Sequence, residues 1–288
     1  MIYHLTEQSA WEAALASGVY EPRTLKTDGF IQLSTYGQIL FVANLWYKKS
    51  DAPILLAVDN SKVLDLKWEG AGEQNFPHLY RPLKIDEVTE VIPLTKDNNG
   101  NYMGAPALER AAVALKTPRL LLREFQLTDA ENVHAYGSDA DLVKYMPWGP
   151  NSKNETNAFL SKAFKWQSEV PRKNFEFAIV ESASGKLIGG SGIFVKNSDC
   201  GFIGYILQKS AHGKGFATEL SQALIKFGFN ELNLHRIEAT CDAENLASLK
   251  VLLKSGMKHE GIMRENLLAK GRRRSSMICA VLKTDPVL

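Results

Sequence analysis

Cysteine is scarce in this sequence: Cys200, Cys241 and Cys279 are its only three, far apart and without a CxxC pair. That spacing argues against a disulfide framework and against a zinc site, and it leaves buried thiols in a reducing compartment as the expectation. Long hydrophobic runs are missing too; none approaches the length that crosses a bilayer. The opening MIYHLTEQSAWE has neither a basic n-region nor an apolar h-region, so no secretory leader is expected and the protein is read as cytoplasmic. Repeats and low-complexity tracts are also lacking. Neither sign of charge dominates, with a formal net charge of +2, and so no nucleic-acid or membrane partner is expected. Two familiar phosphate signatures fail as well. The Walker pattern needs Ser or Thr after GK, where this chain has Gly215; the dinucleotide fingerprint needs a third glycine where it has Thr218.

The charge that is present is unevenly shared. Residues 1–115 carry 10 basic and 14 acidic side chains, and residues 116–288 carry 24 and 18. This step predicts two domains, spanning 1–104 and 117–288, joined by a linker over 105–116 in which Ala105–Lys116 forms a short Ala-rich helix. In the first domain TEQSAWEAALASG reads as a helix capped by Thr6 and stopped by Gly18. QILFVANLWY reads as a second helix, PILLAVD as a continuous apolar strand central in a sheet, and DEVTEVIPLTK as a closing strand. NFPHLYRPL reads as a proline-punctuated loop.

The second domain is organised around GFIGYILQKSAHGKGFATEL. Its apolar first part predicts a strand to Leu207, followed by a glycine loop and a helix on which Leu220, Ala223, Leu224 and Phe227 share a face. Glycines at 213 and 215 allow backbone amides to converge at the helix N-terminus, where the helix dipole favours an anion. The loop predicts a phosphate cradle at His212, Gly213, Lys214, Gly215, Phe216, Ala217 and Thr218. FEFAIVES and LIGGSGIFV read as a hairpin. In NLASLKVLLKSG, Asn245 caps a helix that Gly256 ends. LAKGRRRSS reads as a solvated basic hairpin tip or, alternatively, as a patch that steers an acidic substrate, a ligand's phosphates or ribosomal RNA.

The loop resembles the Q/R-x-x-G-x-G/A coenzyme A loop of the GNAT acetyltransferases, most closely the RimJ/RimL-like branch. TPRLLLREF, DLVKYMPW and RIEATCDAENLASLKVLLKSGMKHEG are similar to further segments of that branch. The resemblance covers 117–284 and implies a mixed-sheet acyl-CoA N-acyltransferase fold with acetyl-CoA as cosubstrate and no metal. It implies an amine acceptor, such as a protein N-terminus, amino acid or small amine, with backbone donors near Ile206 and Leu207 for the oxyanion and with Asn245 and Ser248 pointing at coenzyme A or its reacting thioester. Ser248 is expected as acid or relay, and Glu176, set among apolar neighbours, as the base. The chain departs from the family at His212, where Gln or Arg is usual, and at Ser275 and Ser276, where Asp is frequent.

IYHL, LKTDGFIQLST, KWE and FPHLYRPL resemble the family called domain of unknown function 952. That likeness implies a small ADP-ribosyltransferase-like α+β domain with a nucleotide-like pocket at His4, Asp28, Gln32, Ser34, Glu69, His78 and Tyr80. Gln32 and Arg81 replace the family's usual His and Gly, and Gln cannot carry a proton as imidazole does. The sequence thus predicts an α/β (α+β) two-domain N-acetyltransferase with an accessory N-terminal domain. Two other readings remain open: a coenzyme A-sensing protein without turnover, and a bifunctional protein binding a nucleotide-like ligand.

Overall fold

The computed structural model describes residues 1–50, 53–71 and 74–285. The chain divides into two compact units: residues 1–113 with 126–128 and 157–172, and residues 114–125, 129–156 and 173–288. Residues 157–172, expected within the second domain, therefore cluster with the first unit. The last three residues of the expected 117–288 domain lie outside the described residues.

In the first unit, strand Pro53–Val58 lies between antiparallel Ile2–Glu7 and Val88–Pro93. Every residue of Pro53–Val58 is buried because both faces of this sheet are covered. Tyr3, Leu5, Leu55 and Ala57 enter one core with helix Tyr36–Trp46, and Ile2, Ile54, Leu56 and Val58 enter another with Trp11 and Tyr20. A second three-stranded sheet has Gln74–Leu79 between Ile31–Gln32 and Lys67–Ala71. Tyr3 and Ser34 exchange backbone hydrogen bonds of 2.7 and 2.8 Å, which tie the two sheets together.

Three local expectations change. NFPHLYRPL is not a loop at its start. Pro77 sits within the strand Gln74–Leu79, and its carbonyl accepts from Leu33 N at 2.8 Å, so the missing proline N–H leaves that bond intact. Thr6 is a strand residue, and Glu7 precedes helix Gln8–Ser17 without a side-chain cap. The linker helix is only Pro106–Ala111. Ala105 and Leu108 join the first core, while Ala114–Lys116 is an edge strand of the second unit. Helix Tyr36–Trp46 begins with a capping box between Thr35 and Gln38. Thr35→Ala is expected to cost about 1 kcal/mol, measurable as a lower urea midpoint with unchanged slope.

The second unit is an eight-stranded sheet. In order it runs Ala114–Lys116, Leu120–Glu124, Asn174–Glu181, Leu187–Val195, Cys200–Leu207, Arg236–Asp242, Arg272–Leu282 and Lys258–Ala269. All neighbours are antiparallel except Cys200–Leu207 and Arg236–Asp242, joined by the crossover helix Phe216–Asn230. Phe227 of that helix packs edge-on against Phe175 and Phe177, at 5.3 and 6.1 Å between ring centres. The parallel pair is bonded only where Cys200–Phe202 face Arg236–Glu238. Beyond that point the strands part.

Candidate functional site

At the end of strand Cys200–Leu207 the chain turns through Lys209–Ala211 and enters the glycine loop. Gly213 and Gly215 have φ of 74° and 79°, a region that costs a side chain energy. Gly215 precedes helix Phe216–Asn230 without a side-chain cap. The amide of Glu219, at 3.1 Å from Gly215 O, opens the helical ladder. The amides of Phe216, Ala217 and Thr218 precede that ladder, as at any helix start, and can serve an anion. His212 turns away from this role: its Nε2–H donates to Leu207 O at 3.0 Å, bracing the loop against the strand end.

Glu219, in the first turn, would repel an anion if it were exposed. Instead its carboxylate accepts from Thr117 Oγ1 at 2.6 Å, Arg119 N at 2.9 Å and Arg119 Nε at 2.7 Å. Burial alone would push this carboxyl up, but these hydrogen bonds outweigh it and hold Glu219 below the usual range. Arg119 also donates to Lys214 O at 2.9 Å and lies 4.7 Å over the Phe216 ring. It thus clamps the loop. The sequence reading missed it, because the contact joins segments about a hundred residues apart.

Along the open edge, Ile203–Leu207 keep antiparallel pairing only on the side of Gly189–Ile193. Gln208 N donates to Ile188 O at 2.8 Å. Strand alternation therefore turns Ile206 toward Gly189 and Gly190, and gives the cleft the amides of Leu207 and Tyr205. Of the two expected donors, Leu207 faces the opening and Ile206 does not.

Asn245 caps helix Leu246–Lys254 by accepting from Ser248 N at 3.1 Å. Ser248 Oγ lies 3.3 Å from Tyr205 Oη, which links the helix to the open strand. Burial pushes the Tyr205 phenol up, and the Ser248 hydrogen bond offsets part of that. Nearby Cys241 is pushed up to about 11, chiefly by burial.

Glu176, Gly192 and Gly204 stand in register across three strands and so share one sheet face, while Tyr205 points to the other. Glu176 Oε2 and Phe194 Cζ both come within 3.0 Å of where a Cβ on Gly192 would stand. Beside Gly204 the nearest atom to such a Cβ is 3.9 Å away. Glu176 and Ser248 thus lie on opposite faces of the sheet, with Glu176 two strands in from the open edge.

The segment 139–145 is tied to the turn after Cys200–Leu207 and to the hairpin of Lys258–Ala269 and Arg272–Leu282. Lys209 Nζ pairs with Asp139 and Asp141 at 3.2 and 3.0 Å. Lys270 Nζ donates to Val143 O at 2.6 Å, and Arg274 Nη1 to Lys144 O at 3.3 Å. Arg274, expected in a solvated tip, is buried and ion-paired with buried Asp242. Asp242 faces Ser276 across the ladder, so a carboxylate is present there although Ser276 replaces the family's Asp.

In the first unit, Glu69 joins His78 Nδ1 at 3.1 Å and the Tyr80 hydroxyl. These bonds, Tyr80's first, hold the Glu69 carboxyl below its usual range. Phe30 stacks on His78 at 3.9 Å, and Gln32 faces His78 in the ladder. His4 lies deeper in the core, donating from Nδ1 to Gln32 O at 2.9 Å with Nε2 2.8 Å from Tyr20 Oη. Among the described residues no hydrogen bond ties exposed Asp28 or buried Ser34 to the Glu69 cluster. Arg81 is structural, pairing with Asp65 at 2.9 Å and Glu87 at 2.7 Å. Among the described residues no cluster of His, Cys, Asp and Glu could hold a metal ion, and no helix is long and apolar enough to cross a membrane.

Residues 119–258 match the family model described as an acetyltransferase (GNAT) domain, and residues 5–91 match that of a protein of unknown function, DUF952. The uncharacterized N-acetyltransferase YnaD of Bacillus subtilis is 34% identical over 152 residues, covering 52% of this chain and 86% of that protein. The ribosomal protein uS5-alanine N-acetyltransferase of Escherichia coli is 25% identical, covering 60% and 92%. A crystal structure of a GNAT-family acetyltransferase from Bacillus anthracis superposes with a TM-score of 0.53 at 33% identity, covering 59% of this chain and 98% of that one.

Proposed function

The chain belongs to the GNAT acetyltransferases, and from that premise we propose that its acceptor is a primary amine, foremost a protein N-terminus, with the N-terminal unit as accessory. It is an N-acetyltransferase whose cosubstrate is acetyl-CoA. The cleft suits that cosubstrate: parted strands offer free-edge amides, and the glycine loop offers a helix start. The relative named for uS5-alanine acetylation supports a protein N-terminus.

The observation that supports this chemistry is that Ser248 meets Tyr205 on the open strand while Glu176, in register with Gly204 of that strand, lies on the opposite sheet face. Bound acetyl-CoA supplies an activated acyl group with a thiolate leaving group. An attacking amine must lose a proton, and we assign the Glu176 carboxylate to take it, directly or through water. The Leu207 amide faces the opening and suits a developing oxyanion. Ser248 Oγ can donate to the departing sulfur. A thiol of pKa roughly 8.5 leaves readily, so Ser248 assists by hydrogen bonding even where no proton is passed. Asn245 holds the helix start that carries Ser248.

The test is free-thiol release by the full chain with acetyl-CoA and a panel of amines and N-terminal peptides. Release that depends on a peptide amine supports the proposal; release with small polyamines alone overturns the N-terminal assignment. Ser248→Ala is expected to lower kcat about 10²-fold with KM for acetyl-CoA unchanged. An unchanged kcat removes Ser248 from the chemistry.

A further inference from the structure

Tyr205 is hydrogen-bonded to the Ser248 hydroxyl, and the proposed chemistry leaves it without a task. It stands on the open edge between Gly204 and Ile206, on the sheet face of helix Leu246–Lys254. Serines within helices usually return their proton to the carbonyl four residues back. Three in or just past helices of this unit do so: Ser138 donates to His134 O at 2.7 Å, and Ser221 to Ala217 O and Ser255 to Val251 O, both at 2.8 Å. Ser248 sits in the first turn of its helix, and its hydroxyl is engaged by Tyr205 at 3.3 Å instead. Its own amide is already spent on Asn245.

A serine hydroxyl has one proton and can accept others. If Tyr205 donates to Ser248 Oγ, the serine proton is free to point into the opening. If Ser248 donated to Tyr205, that proton would be turned away from any ligand there. The first arrangement is favoured because a largely desolvated phenol O–H needs an acceptor, and Ser248 Oγ is within reach of it. The other titratable neighbour, Cys241, is likewise kept as a thiol by burial and competes weakly for the serine proton.

We infer that Tyr205 is the positioning residue for Ser248, donating its phenolic hydrogen bond to Oγ so that the serine O–H is directed at the reacting sulfur. This rests on the reading of Ser248 as the donor to that sulfur. No proton leaves Tyr205. The C–S bond breaks with its electron pair on sulfur, and Ser248, polarised by Tyr205, hydrogen-bonds the resulting thiolate.

The test needs no acceptor. Free coenzyme A bound to the full chain is titrated by the ultraviolet absorbance of its thiolate, alongside its binding affinity. In the wild type the bound thiol is expected to ionise at lower pH than free coenzyme A. Ser248→Ala removes that shift. Tyr205→Phe removes part of it, and in a Ser248→Ala background it changes nothing further. Affinity stays within a few-fold throughout. With the acceptor found above, Tyr205→Phe lowers kcat about tenfold without raising KM for acetyl-CoA. Fluorotyrosine at 205, a stronger donor, moves the thiol the opposite way, and this arm holds even if the phenylalanine variant is less stable.

If Ser248→Ala shifts the thiol but Tyr205→Phe does not, the inference is overturned and the reading of Ser248 stands. If the tyrosine effect persists without Ser248, Tyr205 acts on the sulfur itself and the positioning role is wrong. If neither variant moves the thiol, the reading of Ser248 falls and the inference with it.

Discussion

Replacing Gly215 with glutamate is expected to weaken acetyl-CoA binding about a thousandfold. Two separable costs combine. Gly215 lies at φ 79° and ψ 0°, and a side chain in that left-handed conformation costs roughly 1 kcal/mol, which weakens binding because the free loop relieves it by leaving the binding geometry. A carboxylate there would also stand about 5 Å from an anion on the helix start, a repulsion of about 3 kcal/mol at an effective dielectric near 20. Together they make about 4 kcal/mol, and each 1.4 kcal/mol is about tenfold.

Gly215→Ala separates the two costs. It brings only the strain and should weaken binding about fivefold, by the same arithmetic. Arg119 sharpens the contrast, since its Nη2 lies 3.4 Å from the position of the new Cβ. A glutamate there competes with Lys214 O for that guanidinium and loosens the clamp on the loop. Calorimetric titration with acetyl-CoA checks both variants, with thermal melting to confirm that each is folded. Equal affinities for the alanine and glutamate variants would mean that the loop does not meet the coenzyme's phosphates.

What could be read from the sequence were features fixed by neighbouring residues. The glycine loop follows from Gly213, Gly215 and the helix beyond them, and it has the expected conformation. Asn245 caps its helix and Gly256, at φ 95°, ends it, because cap chemistry is confined to one turn. Pro53–Val58 is buried on both faces, as its unbroken apolar run requires. What could not be read were contacts made by folding. Arg119 meets Glu219 only because the edge strand passes the helix start. Tyr205 looked like any strand aromatic until the parallel strands parted and helix Leu246–Lys254 came alongside. Arg274 was indistinguishable from Arg272 and Arg273 in sequence, yet only Arg274 is buried with a carboxylate partner. NFPHLYRPL was misread because the rule against proline in central strands assumes that its missing donor is needed. Here the neighbouring strand uses Pro77's carbonyl instead.

The first unit should lose stability on mild acidification, and His4 is the residue that makes it do so. Its ring is in the core beside Tyr20, with Nδ1–H given to Gln32 O. Burial pushes its pKa down to about 4 from 6.5, against a smaller opposing effect of the Gln32 carbonyl. Between those two values the unfolded chain binds a proton that the folded chain refuses. Stability is therefore whole above pH 6.5 and falls as the pH drops toward 4. Across that interval the loss is roughly 3 kcal/mol at 1.36 kcal/mol per unit. Carboxylates begin to titrate below about pH 5, so the interval from 6.5 to 5 isolates the histidine. Urea unfolding of the full chain, followed by amide exchange in Ile2–Glu7 and Pro53–Val58, gives the slope for this unit. His4→Gln keeps a donor for Gln32 O and removes the titration, and it should flatten the slope over that interval even if stability at pH 7 falls by about 1 kcal/mol. Equal slopes in the two proteins would mean that the imidazole takes up its proton without unfolding, contrary to its place between the two sheets and Tyr20.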